Sequence, residues 1–302
     1  MLHFNSMNEA SEIFKALSAP MRLRIMELIY EDDNKSLNDI ANILKLTNSA
    51  ISLHIKKLEE VGLIEIHTTP GRRGSMKICK PLHDMMIIDL KPKKLNLKSY
   101  IDEIDIGYYS TCQVTPTCGI ATSKKIIGEF DDPRYFLFPD HFQASILWFS
   151  TGFIEYNLPN HLLAGQKLTE LQLSFEISSE SPGFNENYPS DIHFSINNID
   201  IGTWISPGDF GDNKGLFTPS WWFPNWNQYG LLKLLAVNHY GTFMDGLKIS
   251  DVTLNDLNLN YKSDIVLKLA VPEDTKHVGG LTIFGKNFGN YNQGIHVRII
   301  YN

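Results

Sequence analysis

One change of rhythm divides this chain. Up to about residue 62 the apolar residues recur every three or four positions, and from about Tyr100 onward they alternate every second position. A helix presents one face every 3.6 residues and a strand every 2.0, so the two stretches cannot share one architecture. In "ASEIFKALSAPMRLRIMELIY" the apolar set is Ile13, Phe14 and Leu17, then Leu23, Ile25, Met26 and Ile29. Pro20 stands where a second helix would begin, and Ser18 is expected to cap it. "SLNDIANILKL" opens on a capping serine, Ser36, and places Leu37, Ile40, Ile43 and Leu44 on one face. Thr47 caps "NSAISLHIKKLEEVG", where Ile51, Ile55 and Leu58 form the buried stripe and Gly62 stops the helix. The next segment, "LIEIHTT-PGRRGS-MKICKP", predicts two strands around a Pro-Gly turn.

The second rhythm runs through "LQLSFEIS", "DIHFSI", "DIVLKLAV" and "IHVRIIY". Turn residues separate these segments: Asn197-Asn198, Gly241, Gly279-Gly280 and Gly289-Asn290. Many short alternating strands with little helical pattern between them predict an antiparallel sandwich or jelly roll. The whole is therefore an α+β chain of two domains. Residues 1–94 form a winged helix-turn-helix with its linker, and 95–302 form the β-domain. "DMMIIDLKPKKLNLKSY" joins them, its Met85–Leu90 run being a short dimer-contacting helix or the first strand of the second domain.

Net charge is −7, which by itself argues against nucleic acid. Its distribution argues otherwise: residues 1–94 hold 14 Lys/Arg against 12 Asp/Glu, and residues 95–302 hold 13 against 22. Residues 45–81 alone hold seven basic and three acidic residues. Such a patch is what phosphate contact needs, because affinity comes from counterions displaced at the contact surface. Three short helices followed by a basic hairpin place the last helix in the major groove. With Ile51, Ile55 and Leu58 inward, Ser49, Ser52, Leu53 and Lys56 turn outward, with Asn48 beside them and Thr47 and His54 at the edges. Asn and Ser can bond base edges, Lys56 a phosphate, and Leu53 a thymine methyl. Arg72 and Arg73 at the hairpin tip suit a wing on the backbone or in the minor groove. A polar helix face and a basic turn can also merely solvate, but here helix lengths, caps and wing occur together in order.

The segments "ALSAPMRLRIMELI" and "SLNDIANILKLTNSAISLHIKKLEEVGLIE", followed by the glycine-flanked wing, resemble the ArsR-type winged-helix repressors. The resemblance rests on the "A-x-P-x-R-L-R-I" entry and on Ser52, His54, Ile55, Lys56, Leu58, Gly62, Leu63 and Ile64, and it covers roughly residues 8–82. It implies a homodimer that binds a palindromic operator in double-stranded DNA, more often as repressor than activator. Members often sense metals through cysteines at the start of the third helix, or through an acid and histidine set on a dimer helix. "NKSLNDI" has no cysteine at the first place, and His83 and Asp84 alone do not supply the second, so no metal is expected. His54 matches a common family position and is expected to face DNA or pack.

The second half resembles a group of ArsR-type regulators with a large C-terminal β-domain, on "LWFSTGFIEYNLPN", "EISSESPGFNENYPSDIHFSINNIDIGTWISPGDFGDNKG" and "GGLTIFGKNFGNYNQGI". The segment Trp204–Trp226 holds four of the chain's five tryptophans, among prolines, glycines and aspartates. Sugar sites need flat aromatic faces for the apolar side of the ring and fixed carboxylates and amides for its hydroxyls. Trp204, Trp221, Trp222 and Trp226 are the stacking candidates. Glu155, Glu180, Asn185, Asp191, Asp209 and Asp212 are the polar ones. A carbohydrate effector is the expected ligand. The competing readings are tryptophans that only pin a long loop to its sheet, and a β-domain that serves as a dimerisation or docking scaffold with no small ligand.

Paired acids also raise a glycosidase, but a hydrolase fused to a DNA reader would consume its own signal, so no catalytic residues are expected. "DFGDNKG" lacks the alternating oxygen ligands of an EF-hand loop, and no cofactor is expected. Cys79, Cys112 and Cys118 cannot all pair, and the six-residue spacing of the last two fits no compact zinc knuckle. They are expected to be small apolar residues in a reducing compartment. No apolar run approaches a membrane span, and "MLHFNSMNEASEIFKAL" lacks the pattern of a signal peptide, so a cytoplasmic protein is expected.

Overall fold

The computed structural model describes residues 2–4, 6–32, 35–71, 74–83, 85–88, 90 and 97–302, with the backbone alone at 70, 71, 74 and 75. Two compact units divide the chain, Met1–Leu95 and Asn96–Asn302.

The first unit contains β1 (Leu2–Phe4), α1 (Ser11–Leu17), α2 (Pro20–Glu31), α3 (Leu37–Leu44), α4 (Asn48–Glu60), the hairpin β2 (Ile64–Gly71) and β3 (Gly74–Pro81), and β4 (Met86–Ile88). Ile25, Ile29, Ile40, Ile51, Ile55 and Leu58 are buried together where the helices meet the hairpin. Capping decides where the helices start. Ser36 Oγ accepts from the Asp39 amide while the Asp39 side chain accepts from the Ser36 amide, a reciprocal box that satisfies two otherwise orphaned donors. Thr47 accepts from the Ala50 amide at the head of α4. Gly62 follows α4 at φ +72°, a left-handed conformation that glycine adopts without penalty.

Several sequence expectations need correction. Ser18 ends α1, its hydroxyl donating to the Lys15 carbonyl, and Ala19 precedes α2 without a side-chain cap. Pro20 needs none at its nitrogen, which has no hydrogen to satisfy. Phe14, Leu23 and Ile43 are exposed, each being next in sequence to a position on the edge of a narrow buried face and so turned about 100° away. Residues 86–88 are neither a helix nor part of the second unit. They form β4, which pairs in parallel with β1 from Leu2↔Met86 to Phe4↔Ile88. The β2–β3 ladder continues to Gly71↔Gly74, beyond the expected Pro-Gly turn.

The second unit is a sandwich of two antiparallel sheets. The smaller has the order β12 (Ile199–Ser206), β11 (Ser190–Ile196), β16 (Ile265–Val271), β9 (Gly152–Leu158) and β6 (Thr111–Val114). The larger is centred on β10 (Leu168–Ser178). On one side of β10 lie β13 (Leu231–Asn238), β14 (Gly241–Met244) and β15 (Leu247–Ser250). Its other side is shared between two neighbours, which its 11 residues are long enough to allow. β18 (Ile295–Tyr301) pairs with the first part and continues to β5 (Lys98–Ile104), and β17 (Leu281–Phe284) pairs with Glu176–Ser178 and continues to β8 (Ile146–Phe149) and β7 (Cys118–Ala121). Between the sheets Phe175 of β10 stacks on Phe194 of β11, ring centroids 5.7 Å apart. Asn197 and Asn198, both at positive φ, make the tight turn between β11 and β12.

β7, β8 and β17 are buried along their whole length, and alternation assigns their two faces to different neighbours. Ile120, Leu147, Phe149, Leu281 and Ile283 join the core between the sheets. Ala121, Ile146, Trp148 and Phe284 face outward and are covered by Trp222 and Phe288, with Trp221 and Trp226 beside them. The tryptophan-rich segment is thus a third layer over one end of the larger sheet.

Candidate functional site

Two places gather candidate functional groups, one in each unit. In the first, α3 and α4 are joined by Lys45, left-handed at φ 54°, Leu46 and Thr47. Ile51, Ile55 and Leu58 hold α4 to the core, and Asn48, Ser49, Ser52, Leu53 and Lys56 point to solvent along its other side. Leu53 is 70% exposed, an unusual state for a leucine with a core beside it. Thr47 and Ser49 share a hydroxyl contact of 3.0 Å at the N-terminal end, and His54 is half-buried. Lys56 and Lys57 lie 4.0 and 2.6 Å from Glu60, one turn on. The wing leaves the core as the β2–β3 ladder, and Arg72 and Arg73 lie outside the described residues.

In the second unit a cavity of about 290 Å³ opens at the edge of the tryptophan layer. Phe130, Trp148 and Trp226 give it aromatic walls, and Asp131, Glu180, Ser181, Thr117 and Asn227 give it polar ones. Phe130 and Trp226 meet edge to face with centroids 5.0 Å apart, and Trp226 stands 6.2 Å from Trp148. Glu180 Oε2 accepts from Asn227 Nδ2 at 3.2 Å and Thr282 Oγ1 at 3.0 Å. Behind Ser181 lies Asp209, fully buried. Its Oδ2 accepts from both the amide and the hydroxyl of Ser181 at 3.2 Å, while its Oδ1 is buried and meets no hydrogen-bond partner. Burial pushes the Asp209 carboxyl up to about 7. Burial, with the Asp209 charge adding to it, pushes Glu180 well above the usual carboxylate range. This is a small, partly apolar recess with fixed polar groups, at the low end of the size of ligand sites, which run from about 300 to 1,000 Å³.

Comparison with known proteins bears on the first of these units. A family model described as bacterial regulatory protein, arsR family, matches residues 19–65, which run from the turn before α2 to the start of β2. The transcriptional repressor PagR of Bacillus anthracis is 28% identical over 90 residues, covering 27% of this chain and 91% of that protein. The chain is a DNA-binding transcriptional regulator with an ArsR-family helix-turn-helix. That helix-turn-helix lies in the N-terminal unit, and a large β-sandwich follows it.

The fold of the regulator brings together only some of the residues singled out from its sequence. Glu180 and Trp226 line the cavity and Asp209 backs it. Trp222 is buried behind it, its Nε1 donating to the Asn227 carbonyl at 2.8 Å and its ring edge-on to Phe288 at 4.9 Å. Trp221 is pinned through Nε1 to the Ser123 carbonyl at 2.7 Å. Both brace the layer. Trp204 lies elsewhere, on β12 opposite Ile192, with Lys233 Nζ 4.7 Å from its ring centroid. Glu155 pairs with Lys268 across β9 and β16 at 2.6 Å. Asp191 accepts from Thr275 and lies 2.8 Å from His277 Nδ1. Asp212 accepts from the Tyr229 hydroxyl at 2.7 Å, and Asn185 closes a turn onto the Asn187 amide.

Phe130, Asp131, Trp148 and Asn227 were not anticipated. For Trp148 a signal existed: "ILWF" has no polar alternate, which marks a strand covered on both faces. The three thiols are shielded from ionisation. Burial pushes Cys79 and Cys112 up to about 11 and Cys118 to about 12, so none is a thiolate near neutrality. Among the described residues no three His, Cys, Asp or Glu side chains gather as a metal site, and no helix is long and apolar enough to cross a membrane.

Proposed function

We propose that the protein is a cytoplasmic, homodimeric repressor that binds a palindromic operator and is controlled by a small carbohydrate held in the sandwich cavity. Asn48, Ser49, Ser52 and Leu53 read bases, with Thr47 and His54 at the edge of the contact, and Lys56, Arg72 and Arg73 hold phosphates. Repression is supported by the likeness to a named repressor over 27% of the chain. The observation that carries the sensor is the meeting of Trp226, Phe130 and Trp148 with Glu180 and Asn227 around one recess. Aromatic faces take the apolar side of a sugar ring, and fixed carboxylate and amide groups take its hydroxyls. Ligand binding would act on DNA affinity by favouring one arrangement of the dimer over another.

The test is selection of duplexes from a random pool by the full chain, followed by affinity measurements with a panel of monosaccharides. The expected result is an inverted repeat whose binding weakens with one sugar, and no longer does so in Trp226→Ala. A pool without any enriched repeat removes the operator. An enriched repeat indifferent to every sugar removes the sensor. The exposed side chains Tyr108, Leu137, Phe138 and Phe142, with the Tyr108 and Phe142 rings 5.6 Å apart, favour a second use of the sandwich as the surface where two copies meet.

A further inference from the structure

The acidic groups around the cavity have only neutral partners. Glu180 receives the Asn227 amide and the Thr282 and Thr117 hydroxyls, Asp131 Oδ1 receives the Cys118 amide at 2.9 Å, and Asp209 Oδ2 receives the amide and hydroxyl of Ser181 while its Oδ1 is buried without a hydrogen-bond partner. Among the described residues no lysine, arginine or histidine lines the recess. Elsewhere in the same unit several acids lie beside basic side chains, Glu155 by Lys268 at 2.6 Å, Asp191 by His277 at 2.8 Å, and Glu103 and Asp105 by Lys286 at 3.2 and 3.0 Å, while the buried Glu176 is held by the backbone amides of Gly230, Asn290 and Tyr291. Buried charges are ordinarily paired, because an unpaired ion forfeits its hydration without return. Three carboxyl groups without a basic neighbour, one of them fully buried with an unpartnered oxygen, stand at a cavity that Phe130, Trp148 and Trp226 also wall.

We infer that the ligand of this cavity brings the missing positive charge and, on the carbohydrate reading above, that it is an amino sugar. The ring of such a ligand stacks on Trp226 and Phe130, and its ammonium lies toward Glu180 and Asp131. An ammonium gains twice in this setting, from the carboxylates and from the negative faces of the aromatic walls. A neutral sugar gains neither. The raised carboxyl titrations of Glu180 and Asp209 agree with a site that lacks a cation when empty. Binding of the ammonium would accordingly expel protons from the pair.

Calorimetric titration of the full chain with glucosamine, glucose, N-acetylglucosamine and choline separates the parts of this inference. N-acetylation removes the charge and keeps the ring, and choline keeps a charge and removes the ring. The expected result is glucosamine binding at least about tenfold tighter than glucose or N-acetylglucosamine. That preference should fall below about threefold in Asp131→Asn, which keeps the Oδ1 acceptor for Cys118, and in Glu180→Gln, with melting temperature monitored for both. Glucose binding as tightly as glucosamine overturns the charge inference and leaves the carbohydrate reading standing. Binding of choline with no response to any sugar overturns the carbohydrate reading and keeps the charge. Silence across the panel overturns both.

Discussion

Trp148 lies flat against Gly119, its partner in the β7–β8 register, so closely that a Cβ on the glycine would sit 2.3 Å from Cζ2 of the indole. The ring cannot step aside freely, because Trp222, Trp226 and Phe130 stand around it at 5.8, 6.2 and 6.2 Å. Gly119→Ala is therefore expected to overpack the third layer and cost about 1–3 kcal/mol. For a unit of this size that is a loss of roughly 2–4 °C in melting temperature per kcal/mol. The same change should displace a wall of the cavity and weaken ligand binding. An unchanged melting temperature and tryptophan emission spectrum would mean that the ring has room the packing denies it.

The relationship between Gly119 and Trp148 also marks what a sequence can reveal. The helices of the first unit were legible because period and caps agree: Ser36 and Thr47 cap where the apolar stripe begins, and Gly62 stops where it ends. The strands were legible from alternation, but their exposure was not. Leu168–Ser178 alternates Leu, Phe and Ile with Gln, Ser and Glu, yet Gln172, Ser174 and Glu176 are buried too, because further residues cover the outer face. Site residues suffered most. Glu155 and Asp191 look like ligand-binding acids until register sets Lys268 beside one and the chain fold brings His277 to the other. Asp131 and Trp148 lie outside the aromatic segment and join Trp226 only through the covering of the sheet. Composition points to a segment, whereas pairing and layering decide which of its residues share a cavity.

Leu53 offers a clean separation of folding from DNA reading. It is 70% exposed on the outward side of α4, so Leu53→Ala should leave stability within about 0.5 kcal/mol of the parent. Its loss should weaken binding to the preferred duplex by about 1–3 kcal/mol and leave binding to random DNA unchanged, since an apolar contact reads bases and not phosphates. Lys56→Ala should do the opposite, weakening all duplexes alike and reducing the salt slope by about 0.9. Competition measurements at two salt concentrations distinguish the two. Equal losses on specific and random DNA in Leu53→Ala would take that side chain out of base recognition.

Asp209 links stability to pH in a direction opposite to that of most surface acids. Its carboxyl titrates near about 7 in the folded chain, against a reference of 3.8. Between these values the folded state holds a proton that the unfolded state has released, so raising pH favours unfolding. The stabilisation is complete below about pH 4 and is lost as pH rises through about 7. Asp209→Asn cannot titrate, so the melting temperature of the variant minus that of the parent should climb across this window and level off above it. The climb is limited to about 1.4 kcal/mol per pH unit. A difference that stays flat from pH 4 to 8 would place the proton elsewhere.

Glu176 holds the loop that carries Phe288, and Gly289 lets it do so. The buried carboxylate accepts from the Gly230 and Asn290 amides on Oε1, both at 2.8 Å, and from the Tyr291 amide on Oε2 at 2.9 Å. Gly289 sits at φ +73° beside it, and an added Cβ would lie 2.4 Å from Oε1. The same glycine ties in the tryptophan segment, its carbonyl accepting from Phe217 at 2.8 Å and its amide donating to Thr218 at 3.1 Å. Gly289→Ala should pay left-handed strain of about 1–3 kcal/mol and a steric penalty of similar size. Gly246 provides the control, because its φ is +82° but nothing lies within 4 Å of an added Cβ. Gly246→Ala should therefore cost the strain alone. Denaturation of both variants, followed by near-ultraviolet circular dichroism, reads the difference: only Gly289→Ala should also lose tryptophan signal, as Trp222 parts from Phe288. Equal losses in the two variants would mean that Glu176 yields to the methyl group, and that the carboxylate does not fix the loop.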